Sequence, residues 1–203
     1  MKTIVITGPS GSGKSYLGNK LSKNLSNSIV LKTDSYYKDN ILIKFLSMFR
    51  HEIYDRPFSI KKQEINNTLK SIHNKDRSIA IYKYDFRRKR STKSIIKPNY
   101  KVENQFLILE GIFAHRLNLN YQNTINILCE DNKEVCLKRR LKRDHAERGR
   151  NTNEVKKKFN KSWDLFYKNI KNYLYINNVM ALNTEDDISY NNLVLNLKTI
   201  KNN

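Results

Sequence analysis

Eight residues near the start of the chain, Gly8-Pro9-Ser10-Gly11-Ser12-Gly13-Lys14-Ser15, restrict its fold more than any other feature. Ahead of them stands a β-branched run, Thr3 to Thr7, and behind them Leu17, Leu21 and Leu25 recur at helical spacing. Strand, glycine-rich turn and helix therefore follow one another directly. Glycines let successive backbone N–H groups converge on one point, and the helix behind them adds the positive end of its dipole. The spacing G-x-x-x-x-G-K-[ST] is that of a phosphate-binding loop, in which Lys14 reaches the β and γ phosphates of a nucleoside triphosphate and the Ser15 hydroxyl binds Mg²⁺. A turn that merely joins strand to helix would match this spacing only by coincidence.

Further apolar runs lie at Ser28 to Leu31, Phe106 to Leu109, Ile125 to Cys129 and Val179 to Leu182, separated by helical segments long enough for parallel crossovers. The expectation is an α/β chain with the P-loop NTPase fold, about five parallel strands flanked by helices. Asp34 follows the second run and Glu110 ends the third. Both fall at the carboxyl ends of strands, where open α/β sheets bind ligands.

Helices are predicted at Ile65, Leu69 and Ile72 and along Val155, Phe159, Trp163, Phe166, Ile170 and Tyr173, a stripe that puts Trp163 in the core. Residues 79–104 break the alternation, with Ile79, Ile81, Tyr82 and Tyr84, a basic stretch from Arg87 to Lys93, then Ile95, Ile96 and Pro98. They predict a β excursion outside the main sheet, a hairpin kept off a central position by its proline. Beyond Thr184 the chain is Asn- and Lys-rich around a weak helix of Leu193, Leu195, Leu197 and Ile200, and is expected to fray. Without an internal repeat or linker, residues 1–203 read as one domain.

A chain of 203 residues can bury about two thirds of its unfolded surface in a single core. Cys129 and Cys136 lack the spacing of a zinc site or a disulfide scaffold and read as reduced, buried thiols. No apolar run approaches the ~20 residues of a membrane span. The loop at residue 8 leaves no room for a signal peptide, so a cytoplasmic location is expected. Lys and Arg outnumber Asp and Glu by 39 to 19, for a formal charge of +20. That excess suits a polyanionic partner, or reflects an Asn-, Lys- and Ile-rich compositional bias.

Three clusters could serve the loop. Asp34, in Thr-Asp-Ser-Tyr-Tyr-Lys-Asp, is placed to take a proton from an attacking hydroxyl, to touch a metal, or simply to cap a helix. Glu110, in Leu-Ile-Leu-Glu-Gly, suits a residue that orients Mg²⁺ or its waters, or is a solvated strand end. Between Lys138 and Arg150, Arg139 and Arg140 each share a helix face with Arg143, at a cost of a few tenths of a kcal/mol per pair. A bound anion would offset that cost; otherwise the run is a solvated face.

Taken in order, GPSGSGKS, DSYYKD, YDRP, YDF, LILEGIFA and RRLKRDHAERGR resemble the uridine kinase family, relatives of phosphoribulokinase, from residue 3 to about 183. The resemblance implies transfer of phosphate from ATP, or GTP, to the 5′-hydroxyl of uridine or cytidine, with Mg²⁺, in pyrimidine salvage. Gly8, Ser10, Gly11, Ser12, Gly13, Lys14, Ser15, Arg143 and Arg148 would hold the donor. Asp34 would be the catalytic base, assisted by Lys14 and Arg148. Asp55 would hold the ribose, while Tyr54, Tyr84 and Phe86 border the base. Ser15 and Glu110 would bind the metal. Arg140, Arg143, Arg148 and Arg150 would belong to a lid at residues 138–152, hinged at Gly149, over an acceptor-binding insertion at 79–104. Lys89 stands where the family carries a base-reading His, Lys158 where it often has Gln, and Phe58 where Asp commonly follows the proline.

Other functions remain open at this point. A kinase of the same family with a sugar phosphate or other small alcohol as acceptor would suit the basic charge from Arg87 to Lys93. A nucleic-acid-binding P-loop protein would suit the aromatic and basic residues around Tyr82 to Arg90. The sequence decides neither the triphosphate nor whether the chain forms a homo-oligomer.

Overall fold

The computed structural model describes residues 1–25, 28–49, 53–100, 106–117, 124–176 and 178–201, without the side chains of 44, 47–49, 55, 200 and 201. Five strands form a parallel sheet: β1 (Lys2–Thr7), β2 (Ser28–Lys32), β5 (Phe106–Glu110), β6 (Thr124–Cys129) and β7 (Val179–Leu182), in the order β2-β5-β1-β6-β7. All five stand where the apolar runs predict them. Covered on both faces, β5 is buried at every position, which is why it reads as a continuous apolar run rather than an alternating one.

The period of two sorts its side chains all the same. Leu107 and Leu109, with Val5, pack into one core beside Ile65, Leu69 and Ile72 of α3 (Lys62–His73). Phe106 and Ile108, with Ile4 and Ile6, face the other core, beside Leu17 and Leu21 of α1 (Lys14–Asn24). Phe166 and Ile170 of α5 (Thr152–Ile176) pack with Leu128 in a third cluster.

Between the main strands lie α2 (Ile41–Phe49) and α4 (Lys133–Arg148). The excursion is an antiparallel hairpin of β3 (Ile79–Asp85) and β4 (Arg90–Ile96), with Pro98 beyond its end. Asp39 anchors this hairpin to the loop after β2. One carboxylate oxygen accepts from the Ser91 N–H at 2.9 Å and the other pairs with Lys61 at 2.9 Å.

Two expectations need correction. The C-terminal segment forms α6 (Asp187–Lys201), which buries Tyr190, Leu193, Val194 and Leu197 against the α1 side of the sheet. Those four step by three, one and three and make a genuine stripe, whereas Leu195 points outward, 61% exposed. Along α5, Ser162 takes the buried position and Trp163 is half-buried, tilted between Phe159 and Tyr167. Cys129 and Cys136 are free and buried as expected.

Gly111, just past β5, shows how tightly the strand ends converge. Its N–H donates to the Ile6 carbonyl at 3.1 Å. A Cβ there would lie 1.9 Å from Thr33 Oγ1 and 2.9 Å from Asp34 Oδ1. Thr33 is wholly buried and has nowhere to go. Gly111→Ala is therefore expected to lower the unfolding free energy by about 2 kcal/mol, through overpacking, as read from urea denaturation.

Candidate active site

The loop from Gly8 to Ser15 joins β1 to α1 at the carboxyl end of the sheet. Gly11 has a positive φ of 90°, and a Cβ on it would lie 2.2 Å from the Cys136 carbonyl. Close packing of the loop on α4 thus requires glycine there. Within the loop, Ser12 N–H donates to the Pro9 carbonyl at 3.2 Å, and the Lys14 ammonium donates to the same oxygen at 2.8 Å. The buried Ser12 hydroxyl has no partner among the described residues. A cationic side chain folded onto a crowded carbonyl and an orphan hydroxyl fit a loop built to receive anionic oxygens.

Beside the loop, Ser15 Oγ donates to Glu110 Oε1 at 2.9 Å. Burial pushes the Glu110 carboxyl up, and the Asp34 charge adds to this, while Lys14 and the Ser15 hydroxyl hold it down. Its ionised form is thus under-compensated, as suits a carboxylate meant to meet a cation. No group of three or more His, Cys, Asp or Glu gathers as a metal cluster among the described residues. Ser15 and Glu110 nevertheless fit Mg²⁺, which keeps water and phosphate oxygens for most of its coordination.

Asp34 lies in the short 3-10 turn Thr33–Tyr36 directly after β2, and its Oδ1 accepts from the Ile112 N–H at 3.3 Å. It lines an open cleft, as do Ser10, Tyr54, Tyr84, Phe86, Lys89, Arg140, Arg143, Arg148 and Arg150. Nearly every sequence-predicted acceptor residue is thereby brought to one cavity. Asp55 belongs to the turn Ile53–Asp55, but its side chain lies outside the described residues. Phe58 is 46% exposed and is not among the cleft residues.

The aromatic wall has a member that the sequence reading did not single out. The ring of Tyr37 stands edge-on to Tyr54, Tyr84 and Phe86 at centroid distances of 5.6, 5.5 and 5.8 Å. Its place in the doubled tyrosine of DSYYKD was the available signal. Lys158 also reaches the cleft, paired with Glu154 one helical turn away.

The arginine run is organised differently from expectation. Arg139 leaves the cluster for Asp131, at 2.6 Å, and Glu185. The remaining four surround Asp144, which is wholly buried. Arg143 lies 2.8 Å from it, Arg150 3.0 Å, Arg148 3.4 Å and Arg140 3.7 Å. The offsetting anion is therefore the chain's own. Arg140 is buried and also donates to Ser162 Oγ at 2.7 Å. Arg143 reaches back to the loop, 3.4 Å from Ser10 Oγ. The Arg148 guanidinium lies 3.8 Å over the Phe86 ring; burial, with the Arg143 charge beside it, brings it down to about 10. Gly149 ends α4 with a positive φ of 63°, and the turn returns Arg150 to Asp144.

A loop of this pattern at the head of a parallel sheet belongs to enzymes that move phosphoryl groups, and the cleft beside it leaves room for an acceptor. The class is a P-loop kinase. More narrowly, the chain belongs to the phosphoribulokinase / uridine kinase family, whose pattern matches residues 3–180. It is 33% identical to the uridine kinases of Staphylococcus epidermidis and Staphylococcus aureus, over 155 residues that cover 75% of this chain and 72% of each relative. Among solved structures, a possible uridine kinase from Bacillus stearothermophilus has the same fold, with a TM-score of 0.58, 14% identity and 88% of each chain covered. A candidate fructose transport system kinase from Silicibacter sp. TM1040 does too, with a TM-score of 0.63, 17% identity, and 82% of this chain and 84% of that one covered.

Asp144 supplies a stability prediction. Burial opposes its ionisation, but the charges of Arg143 and Arg148 outweigh it and hold the carboxyl below its ordinary range. A depressed carboxylate stabilises above its unfolded pKa and loses that contribution as pH falls through the folded one. Asp144→Asn should therefore cost about 3 kcal/mol at neutral pH by leaving four cations uncompensated. In urea titrations the gap from wild type should stay full between about pH 5 and 7 and close below about pH 4.

Proposed function

We propose that this kinase transfers the γ-phosphoryl group of ATP to the 5′-hydroxyl of a pyrimidine nucleoside, uridine in preference to cytidine. The observation that carries this reading is the wall of Tyr37, Tyr54, Tyr84 and Phe86 in the same cleft as Asp34. Flat rings beside a carboxylate suit a flat base on a hydroxyl-bearing sugar. The uridine kinases to which the chain is similar support it.

In this mechanism Lys14, Ser10, Ser12 and the loop N–H groups, with Gly8, Gly11 and Gly13 in the loop backbone, hold the β and γ phosphates. Asp34 accepts the proton of the acceptor hydroxyl as its oxygen bonds to the γ-phosphorus. The bond from that phosphorus to the β-γ bridging oxygen breaks, and ADP leaves with the electron pair. Arg143 and Arg148 stabilise charge on the moving group. Arg140 and Arg150 complete the arginine cluster, and residues 138–152 act as a lid over the cleft. Asp55 takes the ribose hydroxyls, a role resting on the family resemblance. Ser15 and Glu110 would hold Mg²⁺, which supplies charge neutralisation and orientation of the phosphates when bound. The chain works as one domain, with residues 79–104 as acceptor-binding insertion, and pyrimidine salvage in the cytoplasm is the implied setting.

The second reading, an anionic acceptor such as a sugar phosphate, is favoured by Lys89 and Lys158 in the same cleft. A coupled assay of ADP release against nucleosides and sugar phosphates separates the two. Under either, Asp34→Asn should lower kcat about 10³-fold with ATP affinity nearly unchanged. An RNA-binding protein without turnover would instead show salt-sensitive binding indifferent to this change.

Lys89 bears on the choice of base. An ammonium only donates, so it suits the O4 acceptor of uracil rather than the amino group of cytosine. Steady-state kinetics should favour uridine by about 10-fold in kcat/KM, the worth of one such bond, and Lys89→Ala should erase that preference. Equal use of both nucleosides by wild type would refute the assignment.

A further inference from the structure

The tip of the hairpin grips the last turn of α4. Arg87 Nη2 donates to the Ala146 carbonyl at 2.9 Å, and Arg87 Nε donates to the Glu147 carbonyl at 2.5 Å. Both carbonyls belong to the final four of a helix that ends at Arg148, where no intrahelical donor remains and the dipole presents its negative end. A guanidinium about sixty residues away in sequence thus does the work of a C-terminal cap.

Arg87 is itself held in place. Its N–H, at 2.8 Å, and that of Arg88, at 2.9 Å, donate to Asp85 Oδ1, which closes the hairpin turn, and Lys89 completes it with a φ of 47°. Its neighbour Phe86 carries the Arg148 guanidinium on its ring, 3.8 Å away. Two consecutive hairpin residues therefore hold the same helix end, one through an aromatic face in the cleft and one through backbone carbonyls.

We propose that Arg87 is a positioning residue that locks the arginine-bearing end of α4 to the acceptor wall. Acceptor binding, by fixing the hairpin, would then fix Arg148 and the Asp144 cluster over the donor phosphates. Without that link ATP is held with its arginines out of register and is more open to attack by water. Arg87 contacts the helix backbone and acts on the reaction only through it. The link rests on the reading of Tyr84 and Phe86 as acceptor wall and of residues 138–152 as lid.

The experiment compares wild type, Arg87→Ala, Arg87→Lys and Arg88→Ala. Hydrogen exchange on the protein without ligand tests the lock whatever the acceptor proves to be. Arg87→Ala should speed exchange over residues 146–150 by about 10-fold, because two charge-assisted bonds are lost from a helix end. Kinetics then use whichever acceptor the nucleoside and sugar-phosphate panel identifies. The ratio of ATP hydrolysed to acceptor phosphorylated should rise about 10-fold, with KM for ATP within about 2-fold of wild type and an unchanged Tm. Arg87→Lys, which can reach one carbonyl, should fall between. Arg88→Ala should match wild type, since that side chain is 83% exposed. Unchanged exchange over residues 146–150, or an unchanged ratio of hydrolysis to transfer, overturns the proposal.

Discussion

Four guanidinium groups cannot crowd the end of one helix without an anion among them, and the wholly buried Asp144 carboxylate is that anion. Its partners approach from different directions: Arg143 and Arg148 from α4 itself, Arg140 from the face turned to α5, and Arg150 from beyond the helix end. Each contact trades solvation for attraction, and one carboxylate among four guanidinium groups leaves the cluster with a net positive charge. The cluster then hands its geometry on in two directions. Arg143 extends to Ser10 in the phosphate loop and Arg148 to Phe86 in the hairpin. Phosphate loop and aromatic wall, which belong to different parts of the chain, are thereby set against one carboxylate.

The opposite side of the cleft depends on the sheet. Pairing of β5 between β2 and β1 in parallel register puts Glu110 level with Lys32 and Ile6, so that Asp34, two residues past Lys32, stands close to it. Burial makes the Glu110 carboxylate costly to ionise, and the Asp34 charge adds to that cost. Ser15 and Lys14 relieve part of it. Lys14 meanwhile rests on the Pro9 carbonyl. The site thus sets an under-compensated carboxylate close to an ammonium that rests on a neutral carbonyl.

What could be read from the sequence follows from which features are local. The phosphate loop, the five strands and the acids at strand ends are written in contiguous residues, because backbone geometry over a few positions specifies each. The hairpin was legible for the same reason, through its alternation and its proline. Asp144 was passed over inside a basic run. Its role depends on Gly149 turning the chain back so that Arg150 can reach it, and on Ser162 of α5 holding Arg140. Tyr37 joins the aromatic wall because its backbone bridges to Ile60, a pairing across more than twenty residues. In the helix after Thr184 the predicted stripe includes Leu193 and Leu197, which bury, but it takes in the exposed Leu195 and lacks Tyr190 and Val194, which complete the buried face.

The two halves of the cleft differ in how they are built, and that difference governs what can change. On the side of the phosphate loop the cleft is framed by glycine conformations and strand ends, so the sheet itself fixes its geometry. Across the cleft, the aromatic wall is made of side chains, two of them, Tyr84 and Phe86, on a two-stranded hairpin outside that sheet, tied to it through Asp39 and to α4 through Arg87. On the proposed reading, substitutions at Lys89 or among the aromatic rings reshape the acceptor pocket without disturbing the strands of the main sheet. The Arg87 bonds to helix carbonyls join hairpin and arginines through backbone atoms, so they place no demand on the side chains of the wall. On the proposed reading, acceptor choice and phosphoryl chemistry can diverge, coupled where hairpin and helix end touch.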